Sequence, residues 1–592
     1  MPGPGDRGRE KQKPKAARKT LRRLLKYLID YIWIVLLLLL CAFASNIGNL
    51  LGPNFAGKAI NAASAGEGKV NIDSVMRYGF LMLTAYMVGN ILSFFVNIGM
   101  MRIGRKVARN MRRDVFNKLM ELPVGYFDKH LAGDIISRVS YDIDVVSTSL
   151  SADVVQIITS IVTVVGSFVM MCLISPQLVL CMAFTIPLSI LFTRYMSRKT
   201  RPLYRVRSMA YGEMNGFAEE MFTGQKTILA YAHEDYVCDR FEEINRNAAE
   251  AYRDADGLGM TMGPTIGMIS NIGLAAIGLG GAVLYMKGIV GIGQISSFIL
   301  YSRKFSGPIN EISNIINEIF SALAAAERVF QLLDETEEVK DIENAEVLED
   351  AKGQVEAKDV YFGYVKNKII LHDFNMKAEP GQTIAIVGHT GAGKTTIINL
   401  LMRFYDVNEG SIYVDEKTLN AYTLQSLRKN YSMVLQDTWV FNGTIYDNIS
   451  YGKENATMEE VVAAAKSAHI HNYIMRLPKG YNTVISEDGG NISKGQKQLI
   501  TIARAMLYDT SMLILDEATS NVDTATERKV QKAMRSLMAG KTSFIIAHRL
   551  STIRNADNIL VVDNGNVVEQ GTHDYLMERK GAYYNLYKSQ FE

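Results

Sequence analysis

The sequence predicts two unlike halves: a membrane α-helical half of six transmembrane helices with long cytoplasmic extensions, fused to an α/β domain built around a phosphate-binding loop. Three observations predict it. Long uncharged apolar runs fill the chain up to about residue 325, whereas the remainder alternates apolar and charged residues as a soluble domain does. Lys and Arg cluster at alternate ends of the apolar runs. A glycine-rich stretch ending in Lys394-Thr395 follows a short apolar strand and opens a helix.

The 592 residues exceed one ordinary domain. A hydrophobic fraction of 48% and a mean hydropathy of +0.04 average over the two halves. A net charge of only +3 gives no nucleic-acid signature. Cys41, Cys172 and Cys181 lie in apolar runs and Cys238 stands alone, a pattern of inert thiols rather than metal ligands. The expected division is a basic tail and interfacial helix over 1–31, a membrane domain over 32–325, a linker over 326–353 and a nucleotide-binding domain over 354–592.

No cleavable signal peptide is apparent, and the tail carries Arg7, Arg9, Lys11, Lys13, Lys15, Arg18 and Lys19. Leu21, Leu24, Leu25 and Leu28 then fall at helical spacing among Arg22, Arg23 and Lys26. That pattern suits a helix in the membrane interface or the cytoplasmic start of the first span. A bilayer crossing needs about 20 apolar residues. Ile32–Gly52 and Tyr78–Met101 qualify, and Val154–Thr193 is long enough for two passes about a turn at Ser175-Pro176. Gly257–Met286 supplies a fifth pass. Gly288–Ser302 supplies the sixth and continues through Arg303 and Lys304 into an amphipathic extension.

The basic tail, Arg102–Arg113 and Arg194–Arg207 place the N-terminus and the second half in the cytoplasm. The long charged connections between the second and third, and fourth and fifth, passes predict helices that extend into the cytoplasm, with tips at His130–Arg138 and Thr223–Tyr231. Asn46, Asn49, Asn90, Asn97, Gln156 and Asn271 are amides in apolar runs, which bond helix to helix more often than they meet substrate. No charge sits near the middle of a clearly bounded span, which argues against a proton relay and against small, highly charged substrates.

In the second half, the strand Thr383–Val387 leads into Gly388, His389, Thr390, Gly391, Ala392, Gly393, Lys394, Thr395 and Thr396, and a helix runs to Arg403. Glycines admit phosphate to backbone N–H groups at a helix N-terminus. Lys394 would reach the β- and γ-phosphates and Thr395 would bind Mg²⁺. A second strand, Met512–Leu515, ends in Asp516-Glu517. The first acid is placed to hold Mg²⁺ through water and the second to polarise an attacking water.

Between them, Asn491-Ile-Ser-Lys-Gly-Gln-Lys-Gln498 resembles the signature of the ATP-binding cassette (ABC) family, Leu-Ser-Gly-Gly-Gln, before a helix. "GYFDKHLAGDIISRVSYDID", "AAAERVFQLLDE" and "FNGTIYDNISYG" resemble its exporter branch, and the likeness covers essentially the whole chain. The resemblance implies an ABC-type ATPase that hydrolyses ATP with Mg²⁺. Tyr364 would stack on adenine, and Gln436 would sense Mg²⁺ and the γ-phosphate. Glu517 would be general base, with His548 on the γ-phosphate. Asp523 would link two sites across a dimer. Ser493, Gly495 and Gln496 would face the nucleotide of a partner. Glu487 resembles the loop that touches the cytoplasmic tips. One chain cannot complete a site, so a second half-transporter is implied.

Position 494 is Lys where the family has Gly, and Ile492 replaces Leu. The added bulk and altered backbone preference are expected to weaken this signature, while the phosphate loop, Asp516, Glu517 and His548 are intact. That mixture resembles one subunit of a heterodimeric exporter; a homodimer tolerating Lys494 is the alternative. The expected function is ATP-driven efflux of hydrophobic or amphipathic drugs or lipids from a bacterial inner membrane. An ATP-gated channel or regulator is the competing class. The 29 Met residues suit adaptable contacts with lipid or drug but also serve as ordinary membrane filler.

Overall fold

The computed structural model describes residues 17–64, 70–365, 368–436, 438–486, 491–516, 524–547 and 550–591. The chain divides into two units. One comprises residues up to Glu121 and His130–Thr336; the other comprises Leu122–Lys129 and Glu337–Glu592.

The first unit is helical. It opens with α1 (Ala17–Ile29), whose Thr20 and Leu24 are buried while Leu21, Leu25 and Ile29 remain exposed. Its outer apolar stripe suits a membrane interface. Arg23 bonds Asp334 at 2.6 Å and lies 4.4 Å over the Phe330 ring, and Tyr27 donates to Asp114 at 2.9 Å. Next come α2 (Ile32–Ala63) and α3 (Ile72–Met120). Glu121 caps α3, and Pro123, with no N–H to give, marks the break before the short α4 (Val124–Lys129). The chain returns as α5 (Ala132–Ile174), which contains π-helical turns at Arg138–Asp142 and Ser149–Asp153.

Ser175 adopts an extended backbone, and Pro176 begins α6 (Pro176–Thr223), so the expected turn is where two long helices meet. A second tip follows as α7 (Gln225–Ala230), and then α8 (Glu234–Met286), which is interrupted at Thr261. The unit ends with α9 (Ile292–Leu333). By length and apolar composition, α2, α3, α5 and α8 are able to cross a membrane, among the described residues. α6 and α9 are comparable helices of 48 and 42 residues.

Two expectations change. The first tip is α4, one step earlier than His130–Arg138; His130 onward belongs to the helical unit. The reason is Pro123, which ends α3 sooner than the charge pattern suggests. The second concerns mid-span charge. Because α9 starts at Ile292 and continues unbroken to Leu333, Arg303 and Lys304 lie roughly 17 Å along it, at 1.5 Å per residue, in the interior of a long helix rather than at its end.

α9 is sewn to α2. Ser297 Oγ donates to the Pro53 carbonyl at 2.7 Å, Tyr301 Oη to that of Leu50 at 2.5 Å, and Lys304 Nζ to that of Asn49 at 3.0 Å. Phe298, Tyr301 and Phe305 of α9 bury against Leu50, Met171 and Ile277. The amide Asn46 accepts from Thr163 at 3.0 Å, a helix-to-helix bond between α2 and α5. Further along α9, Arg328 grips Asp142 in a bidentate pair at 2.9 and 2.6 Å, with the Asp142 side chain only 2% exposed.

The second unit carries two sheets. β1 (Val355–Phe362), β2 (Leu371–Ala378), β4 (Glu409–Val414) and β5 (Lys417–Thr418) form an antiparallel sheet in the order β2-β1-β4-β5. β3 (Thr383–Val387), β6 (Tyr431–Val434), β9 (Met512–Asp516), β10 (Thr542–Ile546), β11 (Asn558–Asp563) and β12 (Asn566–Gly571) form the other in the order β12-β11-β3-β10-β9-β6. A small ribbon pairs β7 (Gly443–Thr444) with β8 (Val484–Ile485). Within the second sheet β6, β9, β10, β3 and β11 run parallel, and apolar clusters cover both of its faces.

Prediction for the helical unit: Asp142→Ala leaves the Arg328 guanidinium without its buried partner. Stability should fall by about 3 kcal/mol, the low end for a broken buried pair, because Arg328 keeps some access to water. A lowered thermal midpoint for the detergent-solubilised protein checks it, and an unchanged midpoint would contradict it.

Candidate functional site: a phosphate cradle at the carboxyl edge of the parallel sheet

Register places the strand ends side by side. Val434 pairs with Leu515, Asp516 with Ile546, and Ile546 with Ile386. The segments leaving β6, β9, β10 and β3 therefore emerge along one edge, where open parallel sheets bind ligands.

After β3 the chain makes the cradle. A Cβ on Gly388 would stand 2.1 Å from the Val562 carbonyl oxygen, so no side chain fits there. Gly393 caps the following helix, α10 (Lys394–Leu401), with a left-handed φ of 106° that disfavours any other residue. His389, Thr390, Gly391 and Thr395 are exposed, while Ala392 and Thr396 are buried beneath them. Lys394 is buried, and its Nζ donates to the carbonyls of Gly388 at 2.8 Å and His389 at 2.9 Å. Burial pushes its pKa down, opposed by the charge of Asp516, which brings that carboxylate into the same electrostatic neighbourhood. Among the described residues only carbonyls accept from this buried ammonium, which favours an arriving polyanion.

Tyr364 sits against α10: its hydroxyl donates to Thr396 Oγ1 at 3.3 Å and accepts from Asn399 at 3.1 Å. Its ring packs edge-on to Tyr405, centroids 4.8 Å apart. Tyr405 then donates to Asp128 of α4 at 2.5 Å, and a Cβ added to Gly125 would stand 2.9 Å from the Tyr405 ring. Burial and that carboxylate raise the Tyr405 pKa, so the hydroxyl stays a donor. Sequence reasoning missed Tyr405 and Asn399. The Asp128 contact spans 277 positions, and nothing local announces it.

Gln436 is exposed just beyond β6. Ser493 and Gln496 form a capping box on α11 (Lys494–Tyr508): Ser493 Oγ accepts from the Gln496 N–H at 3.3 Å, and Gln496 Oε1 accepts from the Ser493 N–H at 2.8 Å. Gly495 is buried and Lys494 is exposed at the first helical position. The expectation that Lys494 disturbs the backbone is thereby corrected. Position 494 is ordinary helix, which lysine adopts readily, so only its bulk and its positive charge at a helix N-terminus remain as departures. Glu487, Glu517, Asp523 and His548 lie outside the described residues.

A family model described as the ABC transporter transmembrane region matches residues 35–309, and the ABC transporter model matches residues 371–520. The chain belongs to the ABC transporter family. The ABC transporter ATP-binding protein YfiC of Bacillus subtilis is 42% identical over 99% of this chain and 96% of that protein. The fatty acid ABC transporter ATP-binding/permease protein of Mycobacterium tuberculosis is 44% identical over 81% of this chain and 76% of its own length. An ATP-dependent lipid A-core flippase of Methylobacillus flagellatus is 35% identical over 99% of both. Among solved structures, a bacterial Atm1-family ABC exporter with ATP bound superposes with a TM-score of 0.73 at 28% identity, covering 95% of this chain and 99% of that one. This ABC exporter therefore couples ATP hydrolysis in its second unit to transport through a membrane-spanning helical unit. ABC exporters work as dimers in a membrane.

Prediction for the cradle: Gly388→Ala drives a methyl group into the Val562 carbonyl and should weaken ATP binding by roughly tenfold or more. Titration with a fluorescent ATP analogue reads the loss, and wild-type affinity would show that the close approach is not required.

Proposed function

We propose that this exporter drives efflux of hydrophobic or amphipathic compounds, drugs or lipids, by alternating access in a bacterial inner membrane, with the ATPase unit and N-terminus cytoplasmic. The observation that carries it is the cradle of Gly388–Thr396 beside Tyr364 and Tyr405, with Asp128 of the tip helix α4 hydrogen-bonded into the same unit. The phosphate pocket and a segment continuous with the membrane helices thus share side chains. The fatty acid transporter and lipid A-core flippase relatives support a lipid-like substrate.

In this reading Tyr364 stacks on adenine while the N–H groups of the cradle and Lys394 hold the phosphates. Thr395, Asp516 and Gln436 present only oxygen donors, the set that suits Mg²⁺. When bound, that ion supplies neutralisation of phosphate charge. Glu517 takes the proton of the attacking water, and His548 orients the γ-phosphate. Ser493, Gly495 and Gln496 face the nucleotide held by the partner subunit, and Asp523 links the two sites. ATP favours the closed pair of ATPase units because it binds that state better, and hydrolysis removes the preference.

The second subunit is read as a different chain bearing an intact signature. Lys494 would bring a side chain and a positive charge to the place where the family has none, so the site it faces would hold ATP but turn it over slowly. The undisturbed cap at Ser493 favours a homodimer as the second reading. Purifying the chain alone separates them, since a heterodimer half should lack substrate-stimulated ATPase until its companion is added. Strong turnover by the isolated chain would rule that out. ATP-dependent flux into inverted vesicles distinguishes an exporter from an ATP-gated channel.

Prediction for the chemistry: Glu517→Gln should cut turnover by roughly 100-fold or more while ATP binding survives, because the base is lost and the cradle is not. Single-turnover hydrolysis and nucleotide binding measured on the same sample check it; near-normal hydrolysis would mean that the base is elsewhere.

A further inference from the structure

Arg303 and Lys304 lie deep in the membrane crossing, and three rulers agree on their depth. Along α9 they are roughly 17 Å from Ile292. On α2, Asn49 precedes Lys58, the first charge beyond the uncharged run, by roughly 13 Å. On α3, Tyr86 is roughly 12 Å into the run that starts at Tyr78. Lys304 Nζ touches both helices, 3.0 Å from the Asn49 carbonyl and 5.8 Å over the Tyr86 ring. In a hydrocarbon core of about 30 Å, these positions fall within a few ångström of the middle.

Part of the lysine's task is structural. Pro53 has no N–H for the Asn49 carbonyl four residues earlier, and the Lys304 ammonium fills that place. Its charge is still unanswered. Arg303 is exposed and makes no hydrogen bond or ion pair with any described residue. The uncharged runs Ile32–Gly57, Tyr78–Met101, Val154–Thr193 and Gly257–Met286 contain no Asp or Glu, and the first acid beyond the pair on α9 is Glu311, roughly 12 Å away. A second copy of this chain would bring only two more cations. An arginine at the centre of a span is costly to keep and stands as a functional residue by default.

Phe168 packs on Phe305 one residue beyond Lys304, with centroids 6.1 Å apart, so the surroundings are apolar. An anion arriving there must bring its own apolar body. We infer that Arg303 and Lys304 receive the anionic headgroup, carboxylate or phosphate, of an amphipathic substrate whose chain lies among the apolar side chains of the span. The inference rests on the exporter reading above and narrows its substrate class.

The test uses the full-length transporter, with its companion subunit if it has one, in discs of zwitterionic lipid without nucleotide. Equilibrium binding of pyrene-labelled dodecanoate is compared with that of the matching pyrene-labelled alcohol. The acid should bind roughly tenfold more tightly, as expected for a charge-assisted contact. Arg303→Gln should erase this preference while the alcohol still binds. Lys304→Met is made together with Pro53→Ala, which returns an N–H to the Asn49 carbonyl, so that loss of preference is not mistaken for loss of fold. Displacement of the acid by dodecyl phosphate but not by inorganic phosphate supports an amphiphile; displacement by inorganic phosphate alike overturns that part. Equal affinity for acid and alcohol in the wild type, or a preference surviving both variants, overturns the site. Flux of the same probes in vesicles is read separately. Acid preference without ATP-driven flux would sink the exporter reading and leave the site standing, whereas indiscriminate flux would do the reverse.

Discussion

Within a bilayer a backbone carbonyl has no water to turn to, so each break in a helix must be repaired from a neighbour. Pro53 makes such a break in α2, and α9 repairs it. The carbonyls of Asn49, Leu50 and Pro53 all accept from side chains of α9. Much else in the helical unit follows from this seam. It sets the rotation of α9, buries Phe298 and Tyr301 at the centre of the bundle, and aims Lys304 at α2, leaving Arg303 on another face. The same helix continues to Leu333, where Arg328 meets the buried Asp142 and Arg23 reaches Asp334. A single continuous helix thus fixes α1, the proline-bearing α2 and the π-bulged α5 in one frame.

The ATPase unit meets the same demand in a different solvent. Its central parallel strands pair on both sides and the sheet is covered on both faces, so the N–H groups offered to a ligand lie in the segments beyond the strand ends. The cradle gathers them after β3, and Lys394 adds a cation that burial disfavours. The carbonyls of Gly388 and His389 are a modest answer to that charge, and a triphosphate is a better one.

Much of this was legible in the sequence. The phosphate loop was legible because strand, glycines and helix are contiguous, and β3 ends where the apolar run ends. The Ser175-Pro176 turn was legible because proline starts a helix but does not continue one. The long spans were legible from composition alone. The failures share a cause. The tip at α4, the Tyr405–Asp128 bond and the depth of Lys304 each depend on residues far apart in the chain, or on where a helix starts rather than on what it contains. Charge usually marks the end of a span, so in the sequence Arg303 and Lys304 stand where the sixth apolar run stops. The helix that begins at Ile292 carries them into its interior. At Lys494 the sequence shows both a bulkier side chain and a different backbone preference from glycine, but helical geometry at that position removes the second concern and leaves the first.

The residues that fold with the ATPase unit are not one uninterrupted stretch. Leu122–Lys129, the link between α3 and α5, belongs to it, held by the Tyr405 hydroxyl on Asp128 and by a ring too close to Gly125 to admit a side chain there. Evolution therefore cannot trade the two halves of this transporter as independent modules at a boundary near residue 337. An ATPase half taken from another lineage would have to arrive with a surface already shaped to this tip, or the exchange would sever the one folded unit that both stretches of sequence build.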